Sequence, residues 1–244
     1  MTRVFVTGSA DGLGLAVGQR LIEQGHEVVL HARNDERAAA TREAAPGAAD
    51  VLVGDLADQQ QVRALAEAAN ASGRFDAVIH NAGVGGGAGG DALLAVNVVA
   101  PYLLTALMQR PDRLVYLSSG MHRSGRAELG PLEGRGSLSY GDSKLLDAAL
   151  AIAVARRWPD VRSNGVDPGW IKTRMGGSGA PGDLDQGAAT QVWLATSDDA
   201  AALVTGRYFK DSAEESVETA AADEAFQDEL LAVLERVTGT PLPA

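Results

Sequence analysis

Cysteine is missing from all 244 residues, so disulfide bonds and thiolate metal sites are excluded, although the absence says nothing of the compartment. Basic residues are in deficit: 21 Lys and Arg stand against 32 Asp and Glu, a formal charge of −11, and no basic stripe runs through the sequence. Such a balance argues against nucleic acid as a partner. Histidine is scarce, and His26, His31, His80 and His122 lack metal-ligand spacing; they read as ordinary polar or partly buried residues, with no metal expected. Apolar runs fall short of membrane-spanning length, and a first strand beginning by Arg3 leaves no room for a signal peptide. The expectation is a cytoplasmic protein with no membrane partner.

What the chain does have is alternation. Apolar, β-branched runs bounded by turn residues recur at Val4–Val6, Glu27–Leu30, Asp50–Val53, Asp76–His80, Leu114–Leu117, Val161–Val166 and Gly206–Phe209. Helical spacing lies between them, near 12–24, 35–45, 58–72, 91–109, 140–157, 185–197 and 222–237. Strands alternating with helices imply right-handed crossovers. The predicted fold is α/β, a Rossmann-type doubly wound parallel sheet of about seven strands with helices on both faces, in a single domain over residues 1–244. Gly85–Gly90 and Gly176–Gly182 read as loops, and the acidic stretch Glu214 to Glu235 as a surface helix packed by Phe226, Leu230, Leu231 and Leu234.

Two short patterns carry chemistry. Thr7-Gly-Ser-Ala-Asp-Gly-Leu-Gly14 lies between the first strand and the first helix. Glycines at 8, 12 and 14 let the backbone turn and approach a pyrophosphate, which the free N–H groups at the helix N-terminus would hold; Ala10 and Leu13 complete the cradle. The spacing is G-x-x-x-G-x-G rather than the general G-x-G-x-x-G. Farther along, Tyr140 and Lys144 fall at i and i+4 of a predicted helix, on one face. An ammonium beside a phenol favours the phenolate and brings proton exchange within reach of neutral pH. Tyr-x-x-x-Lys alone is weak; the glycine run beside it supplies the nucleotide that redox work needs.

Together with Asn81-Ala-Gly83 and the Ser118-Ser119 pair, these motifs resemble the short-chain dehydrogenase/reductase family in its short single-domain branch, in the family's order and over nearly the whole chain to about Gly239. The resemblance implies an oxidoreductase that interconverts a ketone or aldehyde and an alcohol. Tyr140 would exchange the proton, Lys144 would assist it and bond the nicotinamide ribose, Ser119 would orient the carbonyl as the second serine of its pair, and Asn97 would hold a water leading from Lys144 to solvent. Cofactor contacts are implied for Asp55 and Leu56 at the adenine, for Asn81, Ala82 and Gly83, and for Pro168, Gly169, Ile171 and Thr173 near the nicotinamide carboxamide. Asp55 could instead be a helix N-cap one residue early.

NAD-using relatives commonly carry Asp where Ala32 stands. Arg33 and Asn34 follow, and a guanidinium there suits a 2′-phosphate, so NADP(H) is favoured over NAD(H), with Asp11 in the glycine loop as the counterweight. The long interval from Ser119 to Tyr140 is similar to that of retinol dehydrogenase-like carbonyl reductases, and Met121 to Leu138 is expected to loop over the site. The interval after Thr173 is short for the family, which implies a reduced lid, a wide pocket and bulky apolar substrates. Helices 91–109 and 140–157 could pair subunits in a homodimer or homotetramer. The alternative function is a non-catalytic dinucleotide-binding sensor or regulator on the same scaffold.

Overall fold

Val4, Phe5 and Val6 have no accessible surface, because β1 (Arg3–Val6) is an inner strand of a sheet covered on both faces. The computed structural model describes residues 1–244 in their backbone and, Gly86 excepted, in their packing. Along the chain, β1 leads to α1 (Gly12–Glu23), β2 (Glu27–Ala32), α2 (Asp35–Ala44), β3 (Asp50–Val53), α3 (Gln59–Ala71) and β4 (Ala77–His80). Helix α4 (Gly90–Ala92) then runs through a π-helical stretch, Leu93–Val99, into α5 (Ala100–Leu107). The second half brings β5 (Arg113–Leu117), α6 (Tyr140–Arg157), β6 (Arg162–Asp167), α7 (Leu184–Thr196), β7 (Tyr208–Lys210), β8 (Ala213–Glu215), α8 (Thr219–Ala222) and α9 (Glu224–Thr238).

The sheet order is β3-β2-β1-β4-β5-β6-β7-β8, parallel except for β8, which pairs antiparallel with β7. The order reverses between β1 and β4, and ligands of such sheets lie at that switch, beyond the carboxyl ends of the strands. One apolar layer joins Val17, Leu21 and Val192 of α1 and α7 to Val4, Val28 and Ile79. The other joins Leu65, Leu103, Leu150 and Leu234 of α3, α5, α6 and α9 to Phe5, Val78 and Leu114. These two layers are the predicted doubly wound architecture.

Several expectations are corrected. The sheet has eight strands, since Ala213–Glu215 is a polar, exposed edge with no apolar pattern to announce it. The helix expected over 222–237 is interrupted at Asp223, whose side chain caps α9. Gly90–Leu107 is by length and composition apolar enough to cross a membrane, contrary to the sequence reading, but 67% of it is buried within the fold. Its π-helical stretch has a local cause: Pro101 has no N–H to return to the Asn97 carbonyl, and its ring crowds that position. Met121–Leu138 is not a lid. It contains two 3-10 turns, Gly120–Ser124 and Gly130–Glu133, and packs Leu129, Leu132 and Leu138 into the second core layer. On α6, Arg156 and Arg157 are the exposed residues, and the rest of the helix packs into the fold.

Burial also fixes the state of His80. The Thr105 hydroxyl donates to the Pro101 carbonyl at 2.7 Å and therefore accepts from Tyr116 Oη at 2.7 Å and from His80 Nε2 at 3.1 Å. Burial pushes the imidazole down to about 3. A histidine kept neutral in the folded state stabilises it above the unfolded value of about 6.5, and that contribution is lost as pH falls from there toward 3. Denaturant titrations should thus show unfolding free energy declining below pH 6.5, and His80→Gln should flatten the decline between pH 6.5 and about 4. An identical pH slope in the variant would contradict the assignment.

Candidate active site

Gly8 adopts φ +61°, and a methyl at this position would meet Ala82 Cα at 2.7 Å. The ends of β1 and β4 therefore touch through backbone. Asn81 Nδ2 donates to the Thr7 and Gly8 carbonyls at 3.0 and 3.2 Å, and the Ala82 N–H bonds Thr7 Oγ1 at 3.1 Å. Gly14 is walled in as well, because a Cβ there would strike the Gly8 carbonyl and the Asn81 amide. Helices α2, α3, α6, α7 and α9 each begin with a side-chain cap, from Asn34, Asp58, Ser139, Asp183 and Asp223; α1 does not. Its first-turn N–H groups therefore lack a capping side chain, the arrangement that suits a helix N-terminus to an anion. The side chain of its N-cap residue, Asp11, instead pairs with Arg37 at 2.5 Å.

A cleft of about 1600 Å³ runs from this loop along the strand ends. Gly8, Ala10, Gly12, Leu13, Gly14, Arg33, Asp55, Leu56, Asn81, Ala82, Gly83, Ser119, Tyr140, Lys144, Pro168, Gly169, Ile171 and Thr173 all line it. The volume and the uncapped helix fit an elongated anionic nucleotide with space left over. Among the described residues no cluster could hold a metal. Of the residues singled out by sequence, Asn34 and Asn97 do not line the cleft. The Asn34 side chain accepts from Arg37 N at 2.9 Å, which occupies it as a cap. Asp55 is not the cap of α3, a role taken by Asp58; its carboxylate accepts from Ala57 N at 2.9 Å beside the cleft.

Tyr140 is the first residue of α6 because Ser139 and Asp142 form a reciprocal capping box, with bonds of 3.1 and 2.9 Å. Burial works against the Asp142 charge, but hydrogen bonds from Arg126 and Ser139 hold its carboxyl down to about 2. Tyr140 is half-buried, and Lys144 Nζ lies 5.8 Å from its ring centroid. The ammonium donates to the Leu117 carbonyl and to the Asp147 carboxylate, each at 2.7 Å. Ser118 is spent on structure: its buried hydroxyl donates to the Lys144 carbonyl at 2.7 Å. Ser119 keeps its side chain at the cleft, accepting from Met121 N at 3.2 Å. Asn97 bonds the Val84 N–H and carbonyl at 2.8 and 3.1 Å and Ser143 Oγ at 3.0 Å, which fixes the π-helical stretch against Val84 and α6.

Four residues of the site carried no sequence signal strong enough to select them. His31 Nδ1 accepts from the Gly8 N–H at 2.9 Å while Nε2 donates to the Gly54 carbonyl at 2.8 Å, tying the ends of β1, β2 and β3. Burial lowers the His31 imidazole below its ordinary value, in keeping with this neutral tautomer. His122 accepts from Glu218 N at 3.2 Å and so donates from Nδ1 to the Ser119 carbonyl at 2.7 Å, bracing the serine from behind. Arg37, on the first turn of α2, reaches the cleft. Asp147 stands at i+3 from Lys144, and its position on the Tyr140 face was the one cue available.

Residues 2–181 match the model of the short chain dehydrogenase family. The chain is 46% identical over 255 residues to an uncharacterized oxidoreductase of Emericella nidulans, covering 100% of this chain and 99% of that protein. A short-chain dehydrogenase of Penicillium rubens, chyC, is 40% identical over 261 residues and covered completely on both sides. Among solved structures, a blue fluorescent protein from a metagenomic library, in complex with NADPH, superposes with a TM-score of 0.72 at 24% identity, over 86% of this chain and 95% of that one. The chain belongs to the short chain dehydrogenase family, and is an oxidoreductase of CH–OH or C=O groups.

Proposed function

We propose that the protein is an NADP(H)-dependent carbonyl reductase whose proton donor is Tyr140. The observation that carries this reading is the meeting of the uncapped α1 N-terminus with Ser119, Tyr140 and Lys144 in one cleft. When bound, the cofactor supplies hydride to the carbonyl carbon. The negative charge that develops on the carbonyl oxygen takes the Tyr140 proton, and Ser119 holds that oxygen by a hydrogen bond. Lys144 stands beside the phenol with two of its three protons bonded to Leu117 and Asp147, and one left for the ribose. Asn97, held by Val84 and Ser143, is the residue we assign to a water leading outward. Tyr140→Phe should lower turnover by about two or more orders of magnitude while NADPH affinity barely changes. Near-normal turnover in that variant would defeat the assignment, whereas NADPH binding with no turnover of any carbonyl by the parent protein would favour a sensor.

Preference for NADP(H) rests on Arg33, the residue that follows β2 and lines the cleft. Asp11, the counterweight in the glycine loop, is already neutralised by Arg37 and lies 3.8 Å from Arg174 as well. A charge-assisted phosphate contact contributes roughly 1.5–3 kcal/mol, or about ten- to a hundredfold in affinity. Titration should accordingly show NADPH binding more tightly than NADH, with Arg33→Ala narrowing the gap. Equal dissociation constants in the parent protein would remove the preference.

For the substrate we propose a bulky, largely apolar ketone or aldehyde. Met121, Trp170 and Met175, exposed by 53%, 62% and 53%, stand around the cleft, and exposed apolar groups in a cleft are suited to an apolar ligand. The loop after Thr173 is short and tied to itself, with Lys172 N bonding the Gly182 carbonyl at 2.9 Å and Trp170 Nε1 the Gly176 carbonyl at 2.9 Å. From Met121–Leu138 only Met121 reaches the cleft, so that segment does not narrow it. Across a size series of carbonyl compounds kcat/KM should rise with ring size; a maximum at small aliphatic ketones would contradict the open cleft.

A further inference from the structure

Lys144 is gripped from two sides in a buried setting. Its Nζ donates to the Leu117 carbonyl and to Asp147 Oδ2, each at 2.7 Å, and the lysine and aspartate side chains are 4% and 5% exposed. Tyr140, Lys144 and Asp147 occupy i, i+4 and i+7 of α6, one stripe of the helix. An isolated ammonium beside a phenol favours the phenolate, and a carboxylate in contact with that ammonium opposes it. We propose that Asp147 is a positioning residue that holds the Lys144 ammonium against Leu117 and partly cancels its charge at Tyr140. The ammonium thereby draws less on the Tyr140 proton than an uncompensated one would, which suits the phenol to donating that proton to a carbonyl oxygen. This rests on the reading of Tyr140 as the proton donor.

The surroundings leave the pair few other influences. Lys144 is the cation that acts on Asp147. From β5, Tyr116 feels the Asp147 charge, but burial is the larger cause holding its phenol up, and its hydroxyl is engaged with Thr105. Beyond Thr105 lies His80 of β4, which burial keeps neutral. Burial pushes Asp147 itself up to about 6, against the charge and hydrogen bond of Lys144. The carboxylate is thus more easily protonated than an ordinary aspartate, and its compensation of the ammonium weakens as pH falls toward 6.

The chain's four tyrosines allow a test that needs no turnover. Tyr102 is pushed up to about 12 by burial, and burial also raises Tyr116 and Tyr208. In a phenolate absorbance titration of the full chain, the first transition should belong to Tyr140 and vanish in Tyr140→Phe. Asp147→Asn should move that transition toward lower pH by about one unit, and the alkaline limb of NADPH-dependent ketone reduction should move with it. Asp147→Ser gives the same reading should the Asn protein not fold, and Asp147→Glu should stay near the parent. An unmoved transition in both neutral variants, or one moved to higher pH, overturns the proposal. If Tyr140→Phe retains turnover, the reading of the site fails and this inference with it; if that variant is inactive and the neutral variants are unshifted, this inference fails alone.

Discussion

The site depends on a close approach of two backbones, Gly8 at the end of β1 against Ala82 at the end of β4, with no side chain between them. Strand ends in a parallel sheet carry unpaired N–H and C=O groups that must be satisfied somewhere. Here Asn81 and Thr7 satisfy them across the β1/β4 junction, and His31 does so across β1, β2 and β3. With the backbone groups accounted for, the glycine loop can leave the first turn of α1 uncapped. That leaves hydrogen-bond donors without a capping side chain at the switch point of the sheet, which is the feature the proposed cofactor reading draws on.

The second half of the cleft is organised from α6 outward. The capping box fixes where the helix starts, the start fixes the height of Tyr140, and one turn later Lys144 meets the end of β5 at the Leu117 carbonyl. Ser118 and Ser119 divide the labour at that strand end: the first anchors α6 through the Lys144 carbonyl, the second faces the cleft. Asn97 joins this frame because Pro101 disturbs the helix that carries it, so a defect in α-helical hydrogen bonding becomes a fixed point of the site.

Much of this was legible in the sequence because local rules and global fold agreed. Periodicity placed seven strands within a few residues, and the helix bearing Tyr140 at its observed bounds, since an apolar helix between two turn signals has few alternatives. What escaped depends on distant residues or on weak local pattern. β8 has only Ala213, Glu214 and Glu215 to declare it. The role of His31 exists only once Gly8 and Gly54 are brought to it, and Asn34 could not be known as a cap before the start of α2 was fixed. Met121–Leu138 reads as a loop because the partners of its three leucines, in a core layer shared with α9, lie far away in sequence. The identification of Asp147 required seeing that Lys144 turns toward it.

In the proposed reaction, hydride from a nicotinamide dinucleotide and a proton from this chain meet on one carbonyl. The most direct measurement supplies NADPH carrying deuterium at the transferred position with a polycyclic ketone, and reads the product by mass spectrometry. The expected product is an alcohol with a single deuterium on the carbinol carbon. An alcohol formed without deuterium from either face of the labelled cofactor would contradict it.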